Sequence, residues 1–268
     1  YCSLNMRLIR KKRFGFIVAA ALVCFTILSI LKPYYQFATK TLKISPFKTL
    51  FGYGDLKMLD GRVNILVLGI PGGKHDGPTL SDSITVMSYN TKTNIASSMG
   101  VPRDIWSSTL RDKINSAYAY GEAKTEGGGI RLSKAEVGSI VGVPIQYAVV
   151  INFNEFIQLI DLIGGIDVKV ERSFVDNKFP IEGKESDDCG GKDEDFTCRY
   201  LTVSFTKGET KMGGKTALEF VRSRNAEGDE GSDFARNKRQ QLVMGAMKEK
   251  IAQIVLQYRQ IMQLPVYI

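Results

Sequence analysis

Residues 222–241, RSRNAEGDEGSDFARNKRQQ, place five cations (Arg222, Arg224, Arg236, Lys238 and Arg239) beside four acids and a glutamine pair. A guanidinium presents a planar fork of N–H donors, so several converging on one point suit phosphate or pyrophosphate. From Asp233 onward the spacing predicts a helix with Asp233 at its N-cap. At 100° per residue, Val243, Met244, Met247, Ile251, Ile254 and Val255 fall within about 60° of one direction, and Arg236 and Gln240 share that sector. The first two turns therefore aim a guanidinium and an amide where the rest of the helix aims its core. If EFVRSR is extended, Arg222 and Arg224 project from one face. Two readings stand: a partly buried salt bridge such as Arg236 with Asp233, or an anion site that joins these four polar groups to a helix N-terminus.

An anion site of that kind is commonly completed by a metal. Asp82 in SDS and Asp104 in PRD, with Arg103 beside it, stand at strand ends, where carboxylates can hold Mg²⁺ while phosphate oxygens complete its shell. Taken singly, each is more often a turn or cap residue. Other chemistry is narrowed by His75 being the sole histidine: any Ser-His-Asp triad or histidine-bearing zinc site would need it, and a lone loop histidine reads as solvated. Its loop, GIPGGKHDGPT, invites a P-loop reading through Gly69, Gly73 and Lys74. That reading fails, because the spacing is one residue short and His75 stands where the Mg²⁺-binding hydroxyl belongs.

The elements that must carry these groups alternate. Apolar runs at 63–70, 83–90, 94–101 and 145–153 read as strands, the first and last buried on both faces. Helical patterns lie in INSAYAYGEAK, LSKAEVGSIVG, NEFIQLIDLIGG and the segment beginning DFARNKRQQ. In LIGGIDVKV, glycine stops a helix before a strand. The expected fold is an α/β domain, α-β-α layered around a central mixed sheet. Residues 172–198 read as a polar surface excursion. Within it Cys189 and Cys198 most simply form a disulfide, a metal site with Asp187 or Asp188 being the alternative.

The chain's 268 residues, 44% hydrophobic and 24% charged, suffice for one substantial core. Five cations in RLIRKKR precede an uncharged run, 14–31, about one hydrocarbon core in length. The expectation is a basic cytoplasmic N-terminus (1–13), one transmembrane helix (14–31), a stalk (32–60) and an extracytoplasmic catalytic domain (61–260). A cleavable signal peptide is the rival, but no A-x-A-like site follows the run. Residues 1–31 supply +5 of the formal +8, leaving +3 for the remainder, so nucleic acid is not an expected partner.

In order, SDS, VPRD, DKINSAYAYG, VVINFNEFIQLIDLIGGIDV, ALEFVRSR and DFARNKRQQ resemble the LytR-CpsA-Psr family of cell-envelope proteins, also called the transcriptional attenuator family, over about residues 61–255. The resemblance implies a membrane-anchored phosphotransferase that moves an anionic glycopolymer from a polyprenyl-pyrophosphate carrier to peptidoglycan through a phosphodiester. It implies that Arg222, Arg224, Arg236 and Gln240 grip the pyrophosphate and that Asp82 and Asp104 support Mg²⁺. Arg103 and Lys113 match motif positions as well, Lys113 on the pyrophosphate side. Asp104 is the first candidate to deprotonate the attacking sugar hydroxyl. It also implies an apolar tunnel for the lipid, with 147–160 as candidate lining. A non-catalytic polyprenyl-phosphate binder, a pyrophosphate hydrolase and a transcription attenuator are the competing functions. The insertion at 186–198 and the acidic NAEGDEGS loop are longer than the family pattern and bear on substrate identity.

Overall fold

The computed structural model describes residues 22, 25–36, 39 and 57–262, apart from 74, 76, 185 and 192–194, and gives no side chains for 255 and 258–262. The chain divides into two units, Tyr1–Gly54 and Asp55–Ile268. In the first, residues 25–36 are helical and exposed. Among the described residues no helix is long and apolar enough to cross a membrane. This corrects the expected transmembrane helix at 14–31, and with it go the single-pass anchor, the membrane as a partner and the two-sided topology. The rest of that run, and the basic segment 1–13, lie outside the described residues.

The second unit is built on a four-stranded mixed sheet in the order β3-β2-β1-β6. Its strands are β1 (Arg62–Ile70), β2 (Ser83–Asn90), β3 (Ile95–Gly100) and β6 (Tyr147–Asn152). Strand β1 runs antiparallel to β2 and parallel to β6, as expected for a mixed sheet. Between β3 and β6 lie β4 (Trp106–Ser107) paired with β5 (Asp112–Lys113), then helices α1 (Ala117–Lys124) and α2 (Gly128–Val141). After β6 come α3 (Phe153–Leu162), β7 (Ile166–Val170), β8 (Phe174–Pro180), β9 (Tyr200–Phe205), β10 (Gly208–Met212), α4 (Gly214–Arg222) and α5 (Asp233–Met262). Strand β7 pairs with β10 and β8 with β9, both antiparallel.

Strand periodicity sorts the central sheet into two faces. Leu66, Leu68, Ile84 and Val86 pack with Ile114, Ala117 and Val137 into one core beneath α1 and α2. The opposite face presents Ile65, Val67 and Gly69, in register with Met87, Thr85 and Ser83 on β2, and with Val149 and Ile151 of β6 beside Val67 and Gly69. This corrects the expectation that β1 and β6 are buried on both faces. Strand β1 alternates and β6 is half-buried along its length, because their second face fronts a cavity. A second core joins α3, α4, α5 and β7–β10, with Phe174, Phe205 and Phe220 ring centroids 5.0 to 6.0 Å apart.

Local signals explain the boundaries. Asn152 and Glu155 form a reciprocal capping box that starts α3 directly from β6. Gly164 and Gly165, at φ of 80° and 82°, take the left-handed turn that ends α3 before β7. Residues 172–198 are less of an excursion than their polarity suggests, since β8 buries Phe174, Asp176 and Phe179.

Candidate active site

A cleft of about 850 Å³ lies between the exposed face of the sheet and the helices α4 and α5. Its lining is graded. At one end stand Asp82, Ser83, Asn152, Arg222, Arg224, Asp233, Arg236 and Gln240; toward the other stand Ile65, Met87, Val243, Met244 and Met247. Both walls carry the gradient. Along β1 it runs from Gly69 back to Ile65, and along α5 it runs from Asp233 through Arg236 and Gln240 to Val243 and Met247, on the face that 3.6-residue periodicity selects. Ile251, assigned to the same face, is instead 45% exposed, past the end of the cleft.

The arginines are set by buried scaffolding. Arg222 ends α4 rather than lying in a strand, and its guanidinium stacks over Phe153 at 4.2 Å and Phe179 at 5.2 Å from the ring centroids. Beyond it the chain turns on Asp176. This fully buried carboxylate accepts the backbone N–H groups of Arg224 (3.0 Å) and Asn225 (3.2 Å) through one oxygen, and that of Lys178 (3.0 Å) through the other. Arg239 fastens α5 to the same turn. It is 3% exposed and donates to the carbonyls of Phe220, Ser223 and Glu230 and to the Glu230 carboxylate. Asp176 has no place among the residues expected from sequence, and Arg239 stands there only as one of five cations. A buried acid in a polar strand leaves no periodic mark, and Arg239 differs from its neighbours only in the face it occupies.

Arg236 is 6% exposed, pairs with Asp233 at 2.9 Å and leaves its Nε buried without a hydrogen-bond partner. Burial holds its pKa below the ordinary arginine value, and the positive charges of Arg224 and Arg103 push the same way against Asp233 and Asp82. Asp233 also faces Arg224, at 3.8 Å. The two readings of this helix are thus joined: the salt bridge exists, yet one carboxylate serves two guanidiniums and repulsion persists, which an added anion relieves. The helix itself is capped by Ser232, whose Oγ accepts the Ala235 N–H, leaving Asp233 as its first residue and not its N-cap.

Asp82 lines the cleft, whereas Arg103, Asp104 and Lys113 lie behind it in a relay. Arg103 Nη1 reaches Asp82 at 2.6 Å and its Nε stands 3.5 Å from Asp104, while Lys113 Nζ donates to Asp104 at 2.7 Å. The Lys113 hydrogen bond, with Arg103 beside it, holds the Asp104 carboxyl below the usual carboxylate range. A lowered pKa makes Asp104 a weaker base and a firmer anion. His75, read as solvated, is instead 7% exposed, packed edge-on against Phe153 at 5.3 Å and 3.5 Å from Glu182. Lys74 of the same loop lies outside the described residues.

One group of metal-capable side chains is found among the described residues: Asp187, Cys189 and Cys198, with ligand atoms within 4.8 Å of one another. Cys189 and Cys198 are joined as a disulfide, Cα–Cα 5.7 Å, so their sulfurs are thiolate ligands only after reduction.

The chain is similar to proteins of known sequence and of known structure. A polyisoprenyl-teichoic acid–peptidoglycan teichoic acid transferase, TagU of Bacillus anthracis, is 32% identical over 192 residues, covering 70% of this chain and 52% of the relative. The chain spans about half the length of the curated relatives it matches. Among solved structures, B. subtilis TagV superposes with a TM-score of 0.51 at 26% identity, covering 72% of this chain and 66% of that one. TagT bound to LIIa-WTA gives 0.50 at 26% identity, covering 73% and 66%. The sequence model of the LytR_cpsA_psr family matches residues 37–264, most of the chain, and the chain therefore belongs to that family.

Proposed function

We propose that this chain transfers an anionic glycopolymer from a polyprenyl-pyrophosphate carrier to peptidoglycan, leaving a phosphodiester link. The observation that carries the reading is the graded cleft, with guanidiniums and an amide at one end and an apolar floor at the other, a shape and polarity that fit a lipid pyrophosphate. The names of the relatives, a teichoic acid transferase and a structure bound to LIIa-WTA, agree with it.

In this reading Arg222, Arg224, Arg236 and Gln240 hold the pyrophosphate and spread its charge. A hydroxyl oxygen of the acceptor attacks the phosphorus bonded to the glycopolymer. The bond from that phosphorus to the bridging oxygen breaks, and polyprenyl monophosphate leaves with the electron pair. Positioning and electrostatics supply the rate, since the arginines face the oxygens on which charge develops. Of the two acids in the cleft wall, Asp233 is taken up by Arg224 and Arg236, and Asp82 is assigned as acceptor of the hydroxyl proton. Asp104, tied to Lys113, keeps Arg103 directed at Asp82.

Mg²⁺ suits the donor set: Asp82 offers hard oxygen ligands beside a phosphate site, Asp104 adjoins it through Arg103, and Mg²⁺ usually takes only one or two carboxylates plus phosphate oxygens. When bound it would neutralise phosphoryl charge.

Calorimetric titration with geranylgeranyl pyrophosphate tests the assignment. Arg236→Ala is expected to weaken binding roughly 10- to 100-fold, the size of one lost charge-assisted contact. Asp82→Asn is expected to retain binding and lose transfer to peptidoglycan. Equal affinity in wild type and Arg236→Ala would overturn the site, and full transfer by Asp82→Asn would overturn the role of that acid.

A further inference from the structure

Trp106 is the chain's single tryptophan and is 65% exposed. No hydrogen bond, ion pair or ring contact to another described residue holds its side chain. An indole is the largest apolar surface a residue can carry, and here it faces water beside the relay behind the cleft.

Pairing of β4 with β5 fixes which way it faces. Trp106 is opposite Lys113 and Ser107 is opposite Asp112, so the two rows project from opposite sides of the hairpin. The Ser107 row turns inward: Ser107 is 5% exposed and donates to Glu136 at 2.6 Å. The Trp106 row therefore turns outward, and Lys113 on that row reaches Asp104. From Asp104 the relay continues through Arg103 to Asp82 in the cleft wall. One outward face thus carries an aromatic plane, an ammonium and a carboxylate, continuous with the polar end of the cleft.

We infer that this face is the acceptor subsite, with Trp106 as the platform on which a pyranose ring of the acceptor glycan stacks. Sugar rings present a face of axial C–H groups, polarised by neighbouring oxygens, that packs on the electron-rich indole face. The hydroxyls around the ring meet donors and acceptors of the kind that Lys113 and Asp104 supply. The placement brings a sugar hydroxyl toward the Asp104–Arg103–Asp82 relay. Trp106 binds in this scheme and takes no part in proton transfer. The inference rests on the transfer reading above.

Because Trp106 is the sole indole, its emission reports on this face alone. Titration of the chain with uncrosslinked peptidoglycan strands, without lipid, is expected to shift Trp106 emission saturably. In the transfer reaction, Trp106→Ala is expected to raise the acceptor KM roughly tenfold with kcat within about twofold of wild type, and Trp106→Phe to restore most of the loss. Emission unmoved by saturating strands, or an acceptor KM unchanged in Trp106→Ala, would overturn the subsite. A parallel calorimetric titration with geranylgeranyl pyrophosphate separates the two ideas. Failure of wild type to bind it removes the transfer reading, whereas binding with no response from Trp106 removes only the subsite.

Discussion

At the scale of single residues, the cations of the 222–241 segment have divided duties that their spacing alone does not reveal. Arg222, Arg224 and Arg236 line the cleft, Lys238 pairs with Glu171 just after β7, and Arg239 turns inward to three carbonyls and one carboxylate. Replacing Arg239 leaves the buried carbonyls of Phe220 and Ser223 without this donor, and the cost of breaking a buried network by removing one partner is about 3–5 kcal/mol. Arg239→Met is therefore expected to lower unfolding stability by roughly 3 kcal/mol, read from the shift of a urea midpoint. A midpoint within 0.5 kcal/mol of wild type on the order-of-magnitude scale of ordinary surface changes would show that the network carries no stability.

At the scale of elements, the cleft depends on how closely α4 approaches α3. A Cβ at Gly214 would stand 2.3 Å from the Ile157 carbonyl oxygen, and the Gly214 N–H donates to Asp161 at 2.7 Å, so backbone rests on backbone with no room for a methyl group. Gly214→Ala must displace the helix whose last residue is Arg222. A loss of about 1–3 kcal/mol in stability is expected, together with weaker geranylgeranyl pyrophosphate binding, both measurable on one purified variant. Normal stability and affinity would mean that α4 shifts without disturbing the site.

The same elements show what the sequence could disclose. Strands β1, β2, β3 and β6 and the cleft-facing stripe of α5 are legible because apolar runs and a period of 3.6 are written in consecutive residues. Arg222 at a helix end was not, because EFVRSR fits an alternating pattern as readily as a last helical turn. Strand β8 was hidden by Asp176, whose burial is set by backbone donors some 48 residues away in sequence. The stacking of Phe153 beneath Arg222 is likewise a long-range contact without local signature. The run at 14–31 has the length and apolarity of a span in sequence, yet among the described residues no helix is long and apolar enough to cross a membrane.

At the scale of the molecule, two cores enclose a cleft that neither fills, and the segment after β8 is tied down by the Cys189–Cys198 disulfide. The bond closes a short loop, nine residues apart in sequence, for which the chain-entropy model gives about 2–3 kcal/mol. Converting both cysteines to serine is expected to lower the thermal midpoint by several degrees while geranylgeranyl pyrophosphate affinity stays within about twofold, since neither cysteine lines the cleft. A collapse of affinity would instead tie the loop to the site.

Arg236 and Met247 ride on one uninterrupted helix, eleven residues and so about 16 Å apart along its axis. Under the proposed function, a rigid rod that bears a guanidinium near its head and a thioether farther along acts as a gauge. Amphiphiles with tails much shorter than that interval leave the far contact unmade, and longer ones must project past it, so discrimination by tail length is built into a single piece of backbone.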